Sequence, residues 1–216
     1  MRCRVSDAAT RAMRTIDAEA HPLRDSVRGR VVLVRGNGPS ARSLGSREVA
    51  RLRAAGVIVA GCNDAGDSVG AGMVFAVDDD AARRLVNDAA RRDGRVVVVQ
   101  RRHVPSGRDD VVPIIDFAAG VATGHGAAWT LAALGAAEVA LAGFDGPIDP
   151  GTESGQMATR QVHRGWCDWL LGAAASLPQH GCRWRLVGIV NNDHPLWQLP
   201  AAPTTIDRMI AEAESP

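Results

Sequence analysis

Residues 30–40 read Arg-Val-Val-Leu-Val-Arg-Gly-Asn-Gly-Pro-Ser, an apolar run broken by two glycines and a proline. The run from Arg30 to Val34 is apolar on both of its alternating faces, which suits a strand covered on both sides rather than one with a wet face. It stops where Gly36-Asn37-Gly38-Pro39-Ser40 begins, and helical spacing follows over Ser46 to Ala55. Strand, glycine turn and helix form one unit, and the same alternation recurs along the chain. Short β-branched runs stand at Val57 to Ala60, Met73 to Val77, Arg95 to Gln100, Glu138 to Ala142 and Arg183 to Val187. Between them, Asp79 to Arg92, Gly126 to Leu134 and Thr159 to Ala175 carry helical spacing, with Trp166, Trp169, Leu170 and Ala173 on one face. This pattern predicts an α/β chain with a single doubly wound, mostly parallel sheet and helices on both faces. The α/β domain is expected to span 29–200, preceded by an N-terminal extension (1–28) and followed by a C-terminal tail (201–216). Val104 to Val112, Gly146 to Ala158 and Asn191 to Pro203 read as long loops.

Composition narrows the chemistry. Of 216 residues, 25 are basic and 24 acidic; every basic residue other than histidine is arginine, and there is no tyrosine. Mechanisms needing a Schiff-base lysine, a phosphate-loop lysine or a tyrosine acid are excluded. A formal net charge of +1 and 4% aromatic residues give neither the field nor the stacking platforms of a nucleic-acid binder. Cys3, Cys62, Cys167 and Cys182 include no Cys-x-x-Cys pair, so no zinc site or disulfide framework is expected; they read as reduced thiols of a cytoplasmic protein. Met1 to Ala20 lacks the apolar stretch of a signal peptide. Gly124 to Phe144 divides into a helix and a buried strand, so no transmembrane segment is expected. Oligomeric state is left open.

Candidate binding residues gather at strand ends, where open α/β sheets hold ligands. Gly36 and Gly38 permit close backbone approach, Asn37 offers a donor and an acceptor to a base or sugar, and Ser40 with the following amides suits an anion or ribose. The turn fits neither Gly-x-Gly-x-x-Gly nor a phosphate loop ending in Gly-Lys-Ser/Thr. Asn63 follows the second strand and Asp78 the third; Asp79 and Asp80 are expected to cap a helix. Thr123 and Gly124 open a helix whose first amides suit an anion, and Asp145 stands at a strand tip. The remaining histidines, among them His125 and His194, read as exposed or capping.

Gly36-Asn37-Gly38-Pro39-Ser40, Cys62-Asn63 and Thr123-Gly124 through Leu134-Gly135-Ala136 to Gly143-Phe144-Asp145 together resemble bacterial sialyltransferases of the Campylobacter type. They are also similar to the related 6-hydroxymethylpterin diphosphokinase-like proteins. The resemblance covers roughly residues 30 to 200 and implies a Rossmann-like nucleotide-binding transferase fold. The sialyltransferase likeness implies a cytidine-monophosphate sugar donor and a hydroxyl acceptor, with no tightly bound cofactor. Asn37, Ser40 and Asn63 would then lie near the nucleotide, and Thr123 and Gly124 near base, ribose or phosphate. His163, ahead of the last helix and strand, matches that family's catalytic base, and Arg160 and Arg164 are candidates to stabilise the departing phosphate. That family uses a pair of tyrosines there, from which this chain departs. The diphosphokinase likeness implies diphosphate transfer from ATP, with Mg²⁺ held through Asp78 and Asp145. A third reading is a catalytically silent nucleotide-binding protein.

Overall fold

The computed structural model describes residues 20–63, 69–89, 95–115, 120–145, 160–176, 182–188 and 194–215. The strands are β1 (Val31–Arg35), β2 (Ile58–Cys62), β3 (Met73–Ala76), β4 (Val96–Val99), β5 (Val111–Pro113), β6 (Glu138–Ala142), β7 (Arg183–Val187) and β8 (Ala201–Thr204). They form one eight-stranded sheet in the order β5-β4-β3-β2-β1-β6-β7-β8, and every pairing is parallel. The chain builds outward from β1 to β5, then returns to the centre and builds the other way from β6. The reversal falls between β1 and β6, where Leu33 pairs Ala140 and Arg35 pairs Ala142.

The helices are α1 (Arg24–Val27), α2 (Ser46–Ala54), α3 (Asp79–Ala89), α4 (Thr123–Ala133), α5 (Arg160–Ser176) and α6 (Ile206–Glu214). They cover both faces, because the strands are apolar on both. On one face Val32, Val34 and Leu141 pack under α4 and α5 through Leu131, Cys167, Leu170 and Ala173. On the other, Leu33, Ala140 and Ala142 meet Leu52, Leu85 and Ile210 from α2, α3 and α6. The doubly wound α/β fold expected from residues 30–40 is present.

Two strands were not legible as strands. Val111–Pro113 falls mostly within an expected loop, and Ala201–Thr204 begins the expected C-terminal tail, yet they form the two edges of the sheet. Each is short and carries a proline, Pro113 or Pro203. Proline removes one ladder donor and is tolerated at an edge, where it also discourages pairing with another chain. The sheet and its helices thus run on past residue 200 to Glu214. Arg51 of α2 binds Glu214 at 2.9 Å, and Glu138, 3% exposed, is held by Arg185 at 2.9 Å and Arg183 at 3.3 Å.

No helix among the described residues is long and apolar enough to cross a membrane. Gly124 to Phe144 divides into α4 and β6, as its Ala/Gly-rich pattern implies.

Gly165 sits on an exposed part of α5 with nothing near the position of a Cβ. A helix-interior glycine lacks about 0.5–1 kcal/mol relative to alanine. Gly165→Ala is therefore expected to raise the melting temperature by about 1–4 °C, and a fall would show that this helix position is not free.

Candidate functional site

The turn after β1 folds back onto the end of β6. Gly36 N–H donates to the Ala142 carbonyl at 2.8 Å and Gly38 N–H to the Gly143 carbonyl at 3.0 Å. Ser40 N–H donates to Asp145 Oδ2, and Ser40 Oγ accepts from Gly143 N–H at 2.7 Å. A Cβ on Gly36 would stand 2.6 Å from the Gly143 oxygen, and one on Gly38 2.7 Å from it. The glycines are thus required by close approach of the chain to itself. Ser40, expected to face an anion or ribose, has its N–H and hydroxyl engaged by Asp145 and Gly143, just after β6.

The turn leaves other groups for a ligand. Asn37 Oδ1, Asn63 Oδ1 and Asp145 Oδ1 are buried and have no hydrogen-bond partner. Asn37 follows β1 and Asn63 follows the adjacent β2, while Asp145 follows β6 on the other side of β1. Asn63 adopts a left-handed backbone, φ 52°, a conformation Asn accepts more readily than most residues. Its Nδ2 donates to Asp78 Oδ2 at 3.4 Å. Asp78 is exposed, and its carbonyl accepts from Ala82 N–H as α3 begins. Asp79, expected as a capping residue, instead pairs with His103 at 2.9 Å and with Arg102. These partners hold its carboxyl below the usual range, His103 most strongly.

Thr123 and Gly124 form the first turn of α4. Ala122 occupies the N-cap and no side chain caps the helix, so Thr123 lies inside it rather than at its cap. Gly124 faces the Phe144 ring and the Cys62 sulfur, where a Cβ would meet Phe144 at 3.0 Å. The α4 N-terminus is thereby drawn against the ends of β2 and β6.

His163 begins the buried face of α5, a stripe continuing through Cys167, Leu170 and Ala173. Trp166 and Trp169 are only partly buried; Trp166 donates to the Gly120 carbonyl at 2.6 Å. Burial, and then the neighbouring His194, push the His163 pKa down to about 4 against the Phe144 carbonyl, which pulls it up. A neutral imidazole carries one N–H and one lone pair, so His163 keeps one nitrogen free to accept a proton. Arg164, one residue on, is exposed and points off this stripe. The side chain of Arg160 and the loop Gly146 to Ala158 lie outside the described residues.

Three residues join His163 that sequence reasoning did not assign to the site. His125, expected to be exposed or capping, is 4% exposed. Its helix turns it inward against Phe144, with ring centroids 5.0 Å apart. Burial pushes its pKa down to about 3, with His163 and His194 adding to the effect. His194 does cap a helical turn, its Nδ1 accepting from Leu196 N–H at 3.2 Å, but it is buried, and its ring centroid lies 5.3 Å from that of His163. Cys167 Sγ lies 3.8 Å from His125 Nε2 and from the His163 ring nitrogens, and burial pushes its pKa up to about 12. Only the four-residue spacing of His163 and Cys167 was visible in advance; 42 residues separate Cys167 from His125. Cys62, Cys167 and Cys182 are free thiols.

Comparison with family models, with curated proteins and with solved structures finds no match to this chain.

Proposed function

We propose that this chain is a nucleotide-dependent transferase whose donor lies across the ends of β1, β2 and β6, the sugar of a nucleoside-monophosphate donor passing to a hydroxyl acceptor. The observation that carries the reading is the set of unpartnered buried oxygens of Asn37, Asn63 and Asp145 around the strand-order reversal. A buried acceptor without a partner carries a desolvation penalty of about 1–3 kcal/mol, which the N–H and O–H donors of a base and ribose would remove. The first-turn amides of α4, with no side-chain cap, supply partial positive charge for the phosphate. In a chain without tyrosine they carry the role that phenols have in the sialyltransferases it resembles.

In the transfer step the acceptor hydroxyl gives its proton to the free nitrogen of His163. Its oxygen bonds to the anomeric carbon, and the bond from that carbon to the phosphate breaks, releasing the nucleoside monophosphate. Because the pKa of His163 is about 4, the imidazole enters unprotonated across the neutral range.

Asn37→Ala is expected to raise the dissociation constant for CMP about 3–10-fold, the worth of one hydrogen bond; unchanged affinity measured calorimetrically would overturn the placement. His163→Gln is expected to lower turnover at least about 100-fold while CMP affinity stays within about two-fold. Retained turnover would remove His163 as the base. A thermal-shift panel of CMP, CDP, UMP, ATP and pterins, with and without Mg²⁺, separates the alternatives. Stabilisation by CMP that is indifferent to EDTA supports this reading. Stabilisation by ATP that EDTA abolishes would replace it with diphosphate transfer, and CMP binding without turnover by any acceptor would leave a silent binding protein.

A further inference from the structure

We propose that His125, His163 and Cys167 together bind one borderline-soft divalent cation of the zinc type. Among the described residues, they are the group whose histidine, cysteine or carboxylate donor atoms all lie within 4.8 Å of one another, and all three are buried. His163 and Cys167 are four residues apart on α5 and so share a face. His125 reaches them from α4, where α4 and α5 pack together.

The spacing approaches that of a coordination shell. Zinc holds nitrogen at about 2.0–2.1 Å and sulfur at about 2.3 Å, so tetrahedral angles place sulfur and nitrogen about 3.6 Å apart. Here Cys167 Sγ stands 3.8 Å from both imidazoles. Two imidazoles and a thiol contain no oxygen, which selects zinc, cobalt or copper over magnesium and calcium. The Phe144 carbonyl, whose influence raises the His163 pKa, is a candidate for the outer partner that a ligating imidazole needs.

Further imidazole surrounds the cluster: the His125 and His194 ring centroids lie 6.2 Å and 5.3 Å from that of His163. His125 turns Nε2 toward Cys167 Sγ, while its other ring nitrogen, Nδ1, is buried without a hydrogen-bond partner. Three protein donors leave a fourth position for water or a further ligand. The imidazoles bind in their neutral form, while the thiol loses its proton as the metal–sulfur bond forms, so one proton is released per ion with no change of oxidation state.

This site stands independently of the transferase reading. One consequence does rest on that reading: a metal on His163 occupies the lone pair that would accept the acceptor's proton, so the loaded chain is inactive in transfer.

The test is titration of Co²⁺ into the reduced full chain without nucleotide. The expected result is a 1:1 complex with the strong visible bands of tetrahedral cobalt, a thiolate-to-metal charge-transfer band, release of one proton per ion, and bleaching by Zn²⁺. His125→Gln is expected to weaken binding about ten-fold or more, and Cys167→Ser to abolish the charge-transfer band. In a chain with Cys3, Cys62 and Cys182 all changed to Ala, the band must persist, which keeps the test decisive if Cys167→Ser does not fold. Absence of the tetrahedral and thiolate bands in the unaltered chain, or loss of the thiolate band in that triple variant, overturns the proposal. Cobalt binding without a nucleotide response overturns the transferase reading alone, and the converse overturns the metal site alone.

Discussion

Replacing Gly143 by alanine is expected to lower the melting temperature by about 10 °C, corresponding to about 3 kcal/mol or more in a domain of this size. Two effects add. Gly143 has φ +78°, a left-handed conformation that costs a side-chain-bearing residue about 1–3 kcal/mol. A Cβ there would also lie 2.8 Å from the Gly36 backbone and 2.9 Å from Ala41 Cβ, where neither neighbour can withdraw. Relief would separate the turn after β1 from the end of β6 and break the bonds of Gly38 and Ser40 to Gly143. Gly29→Ala is the control, since φ is +72° but nothing lies within 4 Å. It is expected to show only the backbone effect, a loss of about 1 kcal/mol or 2–4 °C. Equal shifts for the two variants, measured by calorimetry, would disprove the close contact between the two strand ends.

Acid is expected to destabilise the fold well before its carboxylates titrate. In the unfolded chain the histidines protonate near pH 6.5, whereas burial pushes His125 down to about 3 and His163 down to about 4. His21 and His194 are lowered too, again chiefly by burial. Between these limits the unfolded state binds more protons than the folded state, so stability falls as pH falls. Each buried ring contributes a slope of up to about 1.4 kcal/mol per pH unit. The stabilisation is complete above pH 6.5 and is lost on descent towards pH 4. The diagnostic window is about pH 6.5 to 5, because Asp79, Asp110 and Glu212, whose pKa values are held below normal by their partners, lose their contribution only at lower pH. Melting temperatures across pH 7.5 to 5 should be flat at first and then fall steeply. His125→Gln combined with His163→Gln should flatten the fall, and a curve level down to pH 5 in the unaltered chain would show that the rings are not buried as neutral imidazoles.

The sheet was legible from its central strands. Val32, Leu33 and Val34 are apolar whichever face they take, and β2, β3, β4, β6 and β7 repeat the pattern; continuous apolarity with intervening helical spacing leaves few arrangements other than a parallel sheet covered on both sides. The edges were less visible, because three or four residues interrupted by proline do not stand out from a loop. Of the candidate site, Asn37, Asn63, Thr123, Gly124 and Asp145 were legible because each ends a strand or begins a helix at one edge of the sheet. His125 was misread because it sits beside glycines at a helix start, and only the docking of α5 on α4 encloses it.

Sequence by itself determined the layer order, the end of the sheet that carries polar groups, and a chemistry without lysine or tyrosine, since these follow from side-chain periodicity and from which residues exist. Tertiary structure decided what the glycines of the β1 turn are for and where the histidines stand. A glycine records only that something comes close, and the coordinates identify that neighbour as Gly143 of the same chain. A histidine's protonation and ligands depend on burial and on partners distant in sequence. The meeting of His125, His163, Cys167 and His194 exists only once the helix after β5 and the helix after β6 pack on the same face of the sheet.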